Sequence, residues 1–319
     1  MRAAPSQSRA SEPQGDYSTS RVGCQGVNRL ATEDTETDDA TPHTPRPPGS
    51  VSLHERNQTR HAVWVRTFLL ALSLVVAAAA LAQPPPVKVA LFRAGGVARD
   101  ALDAAEALIG SSPGFELKVV RPWEVRAGAL DGQDAVLFTG GRGSVQGRLL
   151  QESGRQRVRD FVAAGGGYVG ICAGAYMAMQ GEEEFHKIAF VAGRHATGDN
   201  WRRGVATLDV EDDAGNHHAL HYANGPIIGA EPVQGLPPFV VLAHFREEIW
   251  RERHGTNEGE MVNTPAIVAS QYRRGSIVLF SPNPSLDPAE PELLLNALRF
   301  VGTQQRVTPS TRFADVFQP

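Results

Sequence analysis

The sequence predicts an α/β fold in which a mainly parallel sheet carries helices on both faces. From Val87 onward, short apolar runs alternate with longer amphipathic stretches. This alternation is typical of parallel strands joined by crossover helices. Apolar residues make up 41% of the 319-residue chain, enough for a full core. After residue 185 the runs become short and β-rich, which predicts extra strands in the C-terminal half.

The first half of the fold is predicted as a β-α-β-β-α-β series. The strand runs are short and apolar, and the helical segments repeat apolar side chains at helical spacing. Strands are predicted at 87–92, 115–120, 134–141 and 168–171, and helices at 98–110, within 147–167 and from 173 to 180. Ligands of such sheets bind beyond the carboxyl ends of the strands. We therefore expect the segments after these strands to carry the site.

The second half is predicted to be richer in strands. Its β-rich runs lie at 187–193, 204–212, 239–245, 265–272 and 275–281, and an amphipathic helix at 287–302 closes the domain. These boundaries define one domain over 84–304. The tail at 305–319 has no clear period, and the sequence leaves open whether it is docked or loose.

The N-terminal segment is predicted to lie outside this domain. Residues 1–60 are rich in Ser, Thr, Pro and acidic residues, and such a composition favours a disordered extension. Residues 61–82 contain a short apolar stretch with small residues before Gln83, typical of a cleaved signal peptide, with an uncleaved membrane anchor as the alternative. A signal peptide this far along the chain predicts a true start near Val63 or Val65, which N-terminal sequencing would test.

Composition restricts the classes of partner. The net charge is −4 and no long basic run occurs, so no nucleic-acid partner is expected. The two cysteines, Cys24 and Cys172, provide neither a disulfide framework nor a zinc site. His217 and His221, if on a strand, would lie about 13 Å apart, too far for one ion. We expect no metal and no cofactor, a small-molecule ligand, secretion or a periplasmic location, and membrane attachment only if the signal segment is uncleaved.

Cys172 is the main candidate for chemistry. It follows the apolar run YVGI and precedes AGAYMA, so it is expected on a tight turn between a strand and a helix. Enzymes use this geometry to present a nucleophile. The helix start behind it is expected to favour the thiolate. The alternative is a small buried hydrophobic residue without chemistry.

Two glycine-containing loops are expected near Cys172. In the loop TGGRGS, the backbone N–H groups of Gly140 and Gly141, with that of Ala173, are expected to bind a developing oxyanion. In the segment YANGP, Tyr222 and Asn224 are expected to line a ligand cleft. Ordinary turn formation explains either loop as well.

These segments, in this order, resemble the class I glutamine amidotransferase-like superfamily. More narrowly, they resemble the N-terminal domain of some biotin–protein ligases and its stand-alone secreted bacterial relatives. The motifs are FTGGRGS, GICAGAY, YANGPII, PAIVASQY and VLFSPNPSLDP. The resemblance implies a flavodoxin-like three-layer sandwich, with Cys172 at the nucleophile position and Gly141 and Ala173 at the oxyanion positions.

The chain departs from the family pattern at the base. Active members carry His-Pro-Glu after the last strand, whereas Asn283 stands here at the expected His position and Ser285 at the expected Glu position. Asparagine cannot accept a proton at a useful pH. Losing a general base costs a rate factor of roughly 10²–10⁴. His221 and His244 are the candidate substitutes for this base, although each is more typical of an ordinary strand or surface histidine.

Two functions therefore stay open at this stage. The first is weak or absent activity as a cysteine-dependent amidase or hydrolase, and not as a biotin ligase. The second is a catalytically silent module, a pseudoenzyme, that binds a small molecule or a protein in the same cleft.

Overall fold

The computed structural model describes residues 84–180, 186–195, 204–249 and 258–318. The predicted extension at 1–60 and the predicted signal segment at 61–82 lie outside these residues. The strands are β1 (Val87–Phe92), β2 (Phe115–Val120), β3 (Ala135–Phe138), β4 (Gly167–Ile171), β5 (Gly193–His195), β6 (Val205–Asp212), β7 (His217–Ala223), β8 (Ile228–Ala230), β9 (Phe239–Phe245), β10 (Pro265–Tyr272) and β11 (Gly275–Phe280). The helices are α1 (Arg99–Ser111), α2 (Pro122–Arg126), α3 (Gly143–Ala163), α4 (Ala173–Ala178), α5 (Pro291–Gly302) and α6 (Phe313–Phe317).

The main sheet combines a parallel half with an antiparallel extension. Its strand order is β2-β1-β3-β4-β11-β10-β9-β6-β7. The strands from β2 to β11 in this order pair in parallel, and those from β11 to β7 pair antiparallel. The parallel half has the flavodoxin-like order 2-1-3-4-5, with β11 in the fifth place. The predicted fold class is confirmed, including the extra strands of the C-terminal half.

The central strands of the parallel half are buried on both faces. Every residue of β3 and β4 is buried, as expected for strands that are covered by helices on both sides. One core cluster packs α1 and α5 on the sheet, and a second packs α3 and α4 on it. The resulting three layers leave the carboxyl ends of the parallel strands accessible for a site.

The C-terminal tail is docked, which decides between the two alternatives left open by the sequence. Phe313 and Phe317 of α6 are buried, and their rings lie 4.4 Å apart between centroids. The side-chain amide of Asn296 in α5 donates a hydrogen bond of 2.8 Å to the carbonyl of Phe317. The tail therefore belongs to the same core as α5.

The prediction of a strand at 187–193 is wrong for most of the segment. Only its last residue, Gly193, enters a strand, β5. The backbone N–H groups of Ile188 and Phe190 instead donate to the carbonyls of Met177 and Ala178 at the end of α4, at 2.8 and 2.9 Å. The β-branched and aromatic residues that predicted a strand are buried against this helix end and are not paired in a ladder.

The turn between β6 and β7 is held by one carboxylate. Asp212 Oδ1 accepts hydrogen bonds from the N–H groups of Ala214 and Asn216, at 2.8 and 2.9 Å, and Oδ2 accepts from Asn216 Nδ2 at 2.8 Å. Burial alone would raise the pKa of Asp212, but the hydrogen bonds from Asn216 and Ala214 outweigh it and hold the pKa below the ordinary value. Asp212 thus stabilises the hairpin in its ionised form.

Asp212→Ala is expected to lower the free energy of unfolding by about 1.5–3 kcal/mol at pH 7, because hydrogen bonds to a charged acceptor are lost. Since the folded-state pKa is depressed, this contribution is complete above the ordinary aspartate pKa of about 3.9 and is lost as the pH falls below it. Urea unfolding at several pH values measures the difference. Asp212→Asn is the control, because it keeps an acceptor oxygen without the charge. A difference between Asp212→Ala and the parent that persists unchanged at low pH would contradict this account.

Candidate active site

A cleft of about 340 Å³ opens at the carboxyl ends of the parallel strands. Segments that follow β1, β3, β4 and β11 line it, together with the end of β7. The predicted site residues Gly140, Gly141, Cys172, Asn224 and Asn283 are among the lining residues. The others are Ala98, Asp100, Ala101, Arg142, His221, Ala223, Ser281 and Leu286.

Cys172 occupies the turn between β4 and α4 in a backbone conformation that side chains rarely adopt. Its φ is 51° and its ψ is −100°. Such a conformation costs of order 1–3 kcal/mol and persists only where the surroundings enforce it. The N–H of Cys172 donates to the carbonyl of Phe280 in β11 at 2.8 Å, and its carbonyl accepts from the N–H of Tyr176 at 2.9 Å. The turn is thus fixed on both sides, by the sheet and by the helix.

The small residues around Cys172 are required by close backbone contacts. A Cβ added at Gly174 would lie 2.2 Å from the carbonyl oxygen of Phe138 in β3. A Cβ added at Gly170 would lie 2.8 Å from the carbonyl carbon of Gly174. The Gly-Ile-Cys-Ala-Gly spacing therefore lets α4 begin directly against the ends of β3 and β4.

The loop after β3 is fastened to the loop after β1. The N–H of Ala98 donates to the carbonyl of Gly140 at 3.0 Å, and the N–H of Arg142 donates to the carbonyl of Gly96 at 2.6 Å. Gly141 lies between these bonds with φ +126°, and a Cβ there would lie 2.2 Å from the carbonyl oxygen of Gly96. Glycine is therefore needed at this position, whose N–H is held toward Cys172.

The sulfur of Cys172 is surrounded by backbone polar groups. The N–H groups of Gly141 and Ala173 donate hydrogen bonds to it, and its thiol donates to the carbonyl of Ala223 in β7 at 3.8 Å. Burial raises the pKa of the Cys172 thiol above its ordinary value, although the two N–H groups act in the opposite direction. The expectation that this position favours the thiolate is therefore wrong, because desolvation outweighs the N–H groups.

Asn283 and Ser285 are bonded to each other. Asn283 Oδ1 accepts hydrogen bonds from the N–H and the hydroxyl of Ser285, at 2.9 and 2.8 Å. A backbone N–H can only donate, so the atom facing it is the amide oxygen. Asn283 is nine-tenths or more buried yet lines the cleft, whereas Ser285 does not line it. Neither residue is positioned here as a proton acceptor for Cys172.

The expectation that Tyr222 lines the ligand cleft is wrong. Tyr222 is fully buried, its hydroxyl donates to the carbonyl of Gly225 at 2.8 Å, and its ring packs edge-on against Phe245. It alternates with the cleft-lining neighbours His221 and Ala223, so it points to the opposite face of β7. Asn224 does line the cleft, with φ 53° at the end of the strand.

The two histidines that are candidates for the base, His221 and His244, differ in their position relative to the cleft. His221 lines the cleft with Cys172, whereas His244 on β9 does not. Burial and the nearby Arg246 lower the pKa of His244. His217 lies four residues before His221 on β7. Its Nδ1 lies 2.8 Å from Asp209 Oδ2. In the part of the chain that the structure describes, no three potential metal ligands cluster.

Sequence reasoning missed two charged residues of the cleft, Asp100 and Arg142. Both follow strand ends, Asp100 in the first turn of α1 and Arg142 immediately before α3. Their position after parallel strands was a usable signal. No local signal placed His221 there, because it arrives from the antiparallel half of the sheet.

The described residues include no helix that is long and apolar enough to cross a membrane. Export through the segment at 61–82 stays a prediction, because that segment lies outside the described residues.

A protein family matches the segment of the chain that contains Cys172. Residues 119–195 match the biotin-protein ligase N-terminal domain family. The resemblance stated from the sequence is confirmed. The matched segment holds the glycine loop and the Cys172 turn, and it ends before β7 and the loop of Asn283. Among curated proteins, none matches the chain.

Several solved structures are similar to this chain. A glutamine amidotransferase is 20% identical, with 67% of this chain and 98% of that chain covered and a TM-score of 0.48. PurLQS from Thermotoga maritima is 15% identical, with 64% and 91% covered and a TM-score of 0.47. A ThuA-like protein from Bacteroides uniformis is 15% identical, with 69% and 93% covered and a TM-score of 0.48.

Proposed function

We propose that this amidotransferase-like domain is a cysteine-dependent hydrolase of small amides, with Cys172 as the nucleophile. One observation carries the proposal. Cys172 is held on a strained turn in an open cleft, and the N–H groups of Gly141 and Ala173 are directed at its sulfur. Strain of this kind clusters at functional sites, where the surrounding structure maintains it.

The arrangement suits attack on a carbonyl carbon. The sulfur would bond to this carbon, and the carbonyl oxygen would take up the negative charge. The N–H groups of Gly141 and Ala173 would stabilise this oxyanion, an effect worth roughly 10²–10³-fold in rate per donor. The cleft of about 340 Å³ is at the small end of ligand sites, which favours a small substrate. Asp100 and Arg142 place one charge of each sign along it.

A second candidate function is a silent binding module that uses the same cleft. The raised pKa of the Cys172 thiol favours it, because the protonated thiol is a poor nucleophile. The Asn283–Ser285 pair favours it as well. Asn283 Oδ1 is already engaged by Ser285, so its amide NH₂ is the group left to bind a ligand carbonyl.

Acylation of Cys172 by p-nitrophenyl acetate separates the two functions. In the full chain carrying Cys24→Ser, we expect one acetyl group on Cys172, detected by intact mass and located by peptide mapping. Because burial raises the thiol pKa, acylation should be slow at pH 7 and accelerate toward and beyond pH 9.

The control for this experiment is Cys172→Ser in the same background, which should take up no acetyl group under the same conditions. If the parent chain stays folded and unmodified across the whole pH range, the hydrolase proposal is wrong and the binding module is favoured.

A further inference from the structure

The proposed hydrolase needs a proton acceptor that position 283 does not provide. Burial raises the pKa of the Cys172 thiol, and Asn283 cannot accept its proton. Of the residues that the structure describes, His221 is the histidine lining this cleft. Its backbone is hydrogen-bonded to that of Asn283, and it lines the cleft together with Cys172.

The end of β7 is fixed opposite Cys172 from two sides. The N–H of Asn283 donates to the carbonyl of His221 at 2.7 Å, which ties this strand to the loop after β11. On its other edge, His221 is paired with Thr207 of β6. Two residues further on, the carbonyl of Ala223 contacts the Cys172 sulfur at 3.8 Å.

The His221 imidazole and the Cys172 sulfur belong to residues that line the same cleft. His221 and Ala223 share a face of β7, since residues two apart on a strand point the same way, and they lie about 6.6 Å apart along it. Both residues line the cleft with Cys172, and the carbonyl of Ala223 contacts the Cys172 sulfur. Proton transfer through one water is compatible with general-base action.

The tautomer of His221 is the one that a base requires. Its Nδ1 lies 3.2 Å from the backbone carbonyl oxygen of Asp287. A carbonyl can only accept, so Nδ1 carries a proton, and in the neutral imidazole the lone pair is then on Nε2. This use of the second ring nitrogen to orient the first is common for catalytic and metal-binding histidines.

We propose that His221 is the general base of this cleft, in place of the residue absent at 283. This inference rests on the proposed hydrolase. In acylation, the thiol proton passes through a water molecule to Nε2, sulfur bonds to the amide carbon, and the C–N bond breaks as the amine takes that proton. In deacylation, water gives a proton to Nε2 and bonds to the thioester carbon. The C–S bond then breaks, and sulfur regains the proton.

Two charged side chains of opposite sign line the cleft with His221. Asp100 of α1 and Arg142 before α3 line the cleft with it, and Cys172 does so from the β4 end. Asp287 contacts its ring through the backbone carbonyl, from the loop before α5.

The test follows the loss of the acetyl group from Cys172. The full chain with Cys24→Ser is acetylated with p-nitrophenyl acetate, freed of excess reagent, and sampled by intact mass. His221→Asn keeps a side-chain NH donor for the Asp287 carbonyl but has no basic nitrogen. We expect it to lose the acetyl group about 10²-fold more slowly than the parent, or slower still. The parent rate should fall on acidification, and the variant should lack this dependence.

His217→Asn is the matched control, because His217 lies on the same strand but pairs with Asp209 outside the cleft. It should leave the rate unchanged. An acetyl group that leaves His221→Asn as fast as the parent would overturn the role of His221. Failure of the parent to be acetylated would instead refute the hydrolase. If His221→Asn does not fold, His221→Gln and the pH profile of the parent test the same point.

Discussion

Gly174→Ala is expected to lower the free energy of unfolding by about 3 kcal/mol or more. The added methyl group would lie 2.2 Å from the carbonyl oxygen of Phe138 and 3.0 Å from its carbonyl carbon. These are backbone atoms of a fully buried strand, so they cannot move aside as a side-chain end would. Overpacking of a core costs about 1–3 kcal/mol in general, and a backbone clash belongs at or above the upper end. Denaturant unfolding monitored by circular dichroism measures the loss.

Gly110→Ala provides the control for that substitution. Gly110 lies within α1, and its added methyl group would have Leu117 Cδ2 as nearest neighbour at 3.9 Å, an ordinary contact. Replacing glycine by alanine inside a helix should raise the free energy of unfolding by about 0.5–1 kcal/mol. If both variants change stability by the same amount and sign, the close contact at Gly174 has no energetic role.

The parallel half of the fold was accessible from the sequence because its signals are local. Strands β3 and β4 are short apolar runs bounded by helix or loop residues, and burial on both faces makes such runs continuous. The segment at 187–193 shows where this fails. Its β-branched and aromatic residues are buried by the end of α4. The pattern of apolar residues in a sequence indicates that a segment is buried, but it does not indicate whether a strand or a helix covers it.

The nucleophile turn was predictable for the same local reason, but the place of His221 in the cleft was not. Gly170, Cys172 and Gly174 lie within five consecutive residues whose small size predicts a tight turn. His221 instead reaches the cleft because β7 pairs with β6 and bridges to Asn283, 62 residues later in the chain. Tyr222 was misplaced because strand alternation sends one neighbour to the cleft and the next to the core.

The backbone strain at Cys172 affects both the stability of the fold and the presentation of the sulfur, because the same residue adopts the strained conformation and carries the thiol. With φ 51° and ψ −100°, this residue occupies a region of backbone conformation that glycine adopts without strain and that is strained for residues with a side chain. The strain is maintained by hydrogen bonds to Phe280 and Tyr176. A residue without a Cβ at this position should release the strain and at the same time remove the nucleophile.

Cys172→Gly is therefore expected to be more stable than Cys172→Ala by about 1 kcal/mol or more, the reverse of the usual order. Relief of a strained backbone is worth roughly 1–3 kcal/mol, which exceeds the 0.5–1 kcal/mol by which glycine ordinarily falls short of alanine. Both variants should lose acylation completely. Urea midpoints at an unchanged m-value measure the difference. Ala175→Gly, within α4, should show the usual sign and lose stability. If alanine is as stable as glycine at position 172, the turn stores no strain, and the argument that the surrounding structure holds this cysteine ready for chemistry loses its basis.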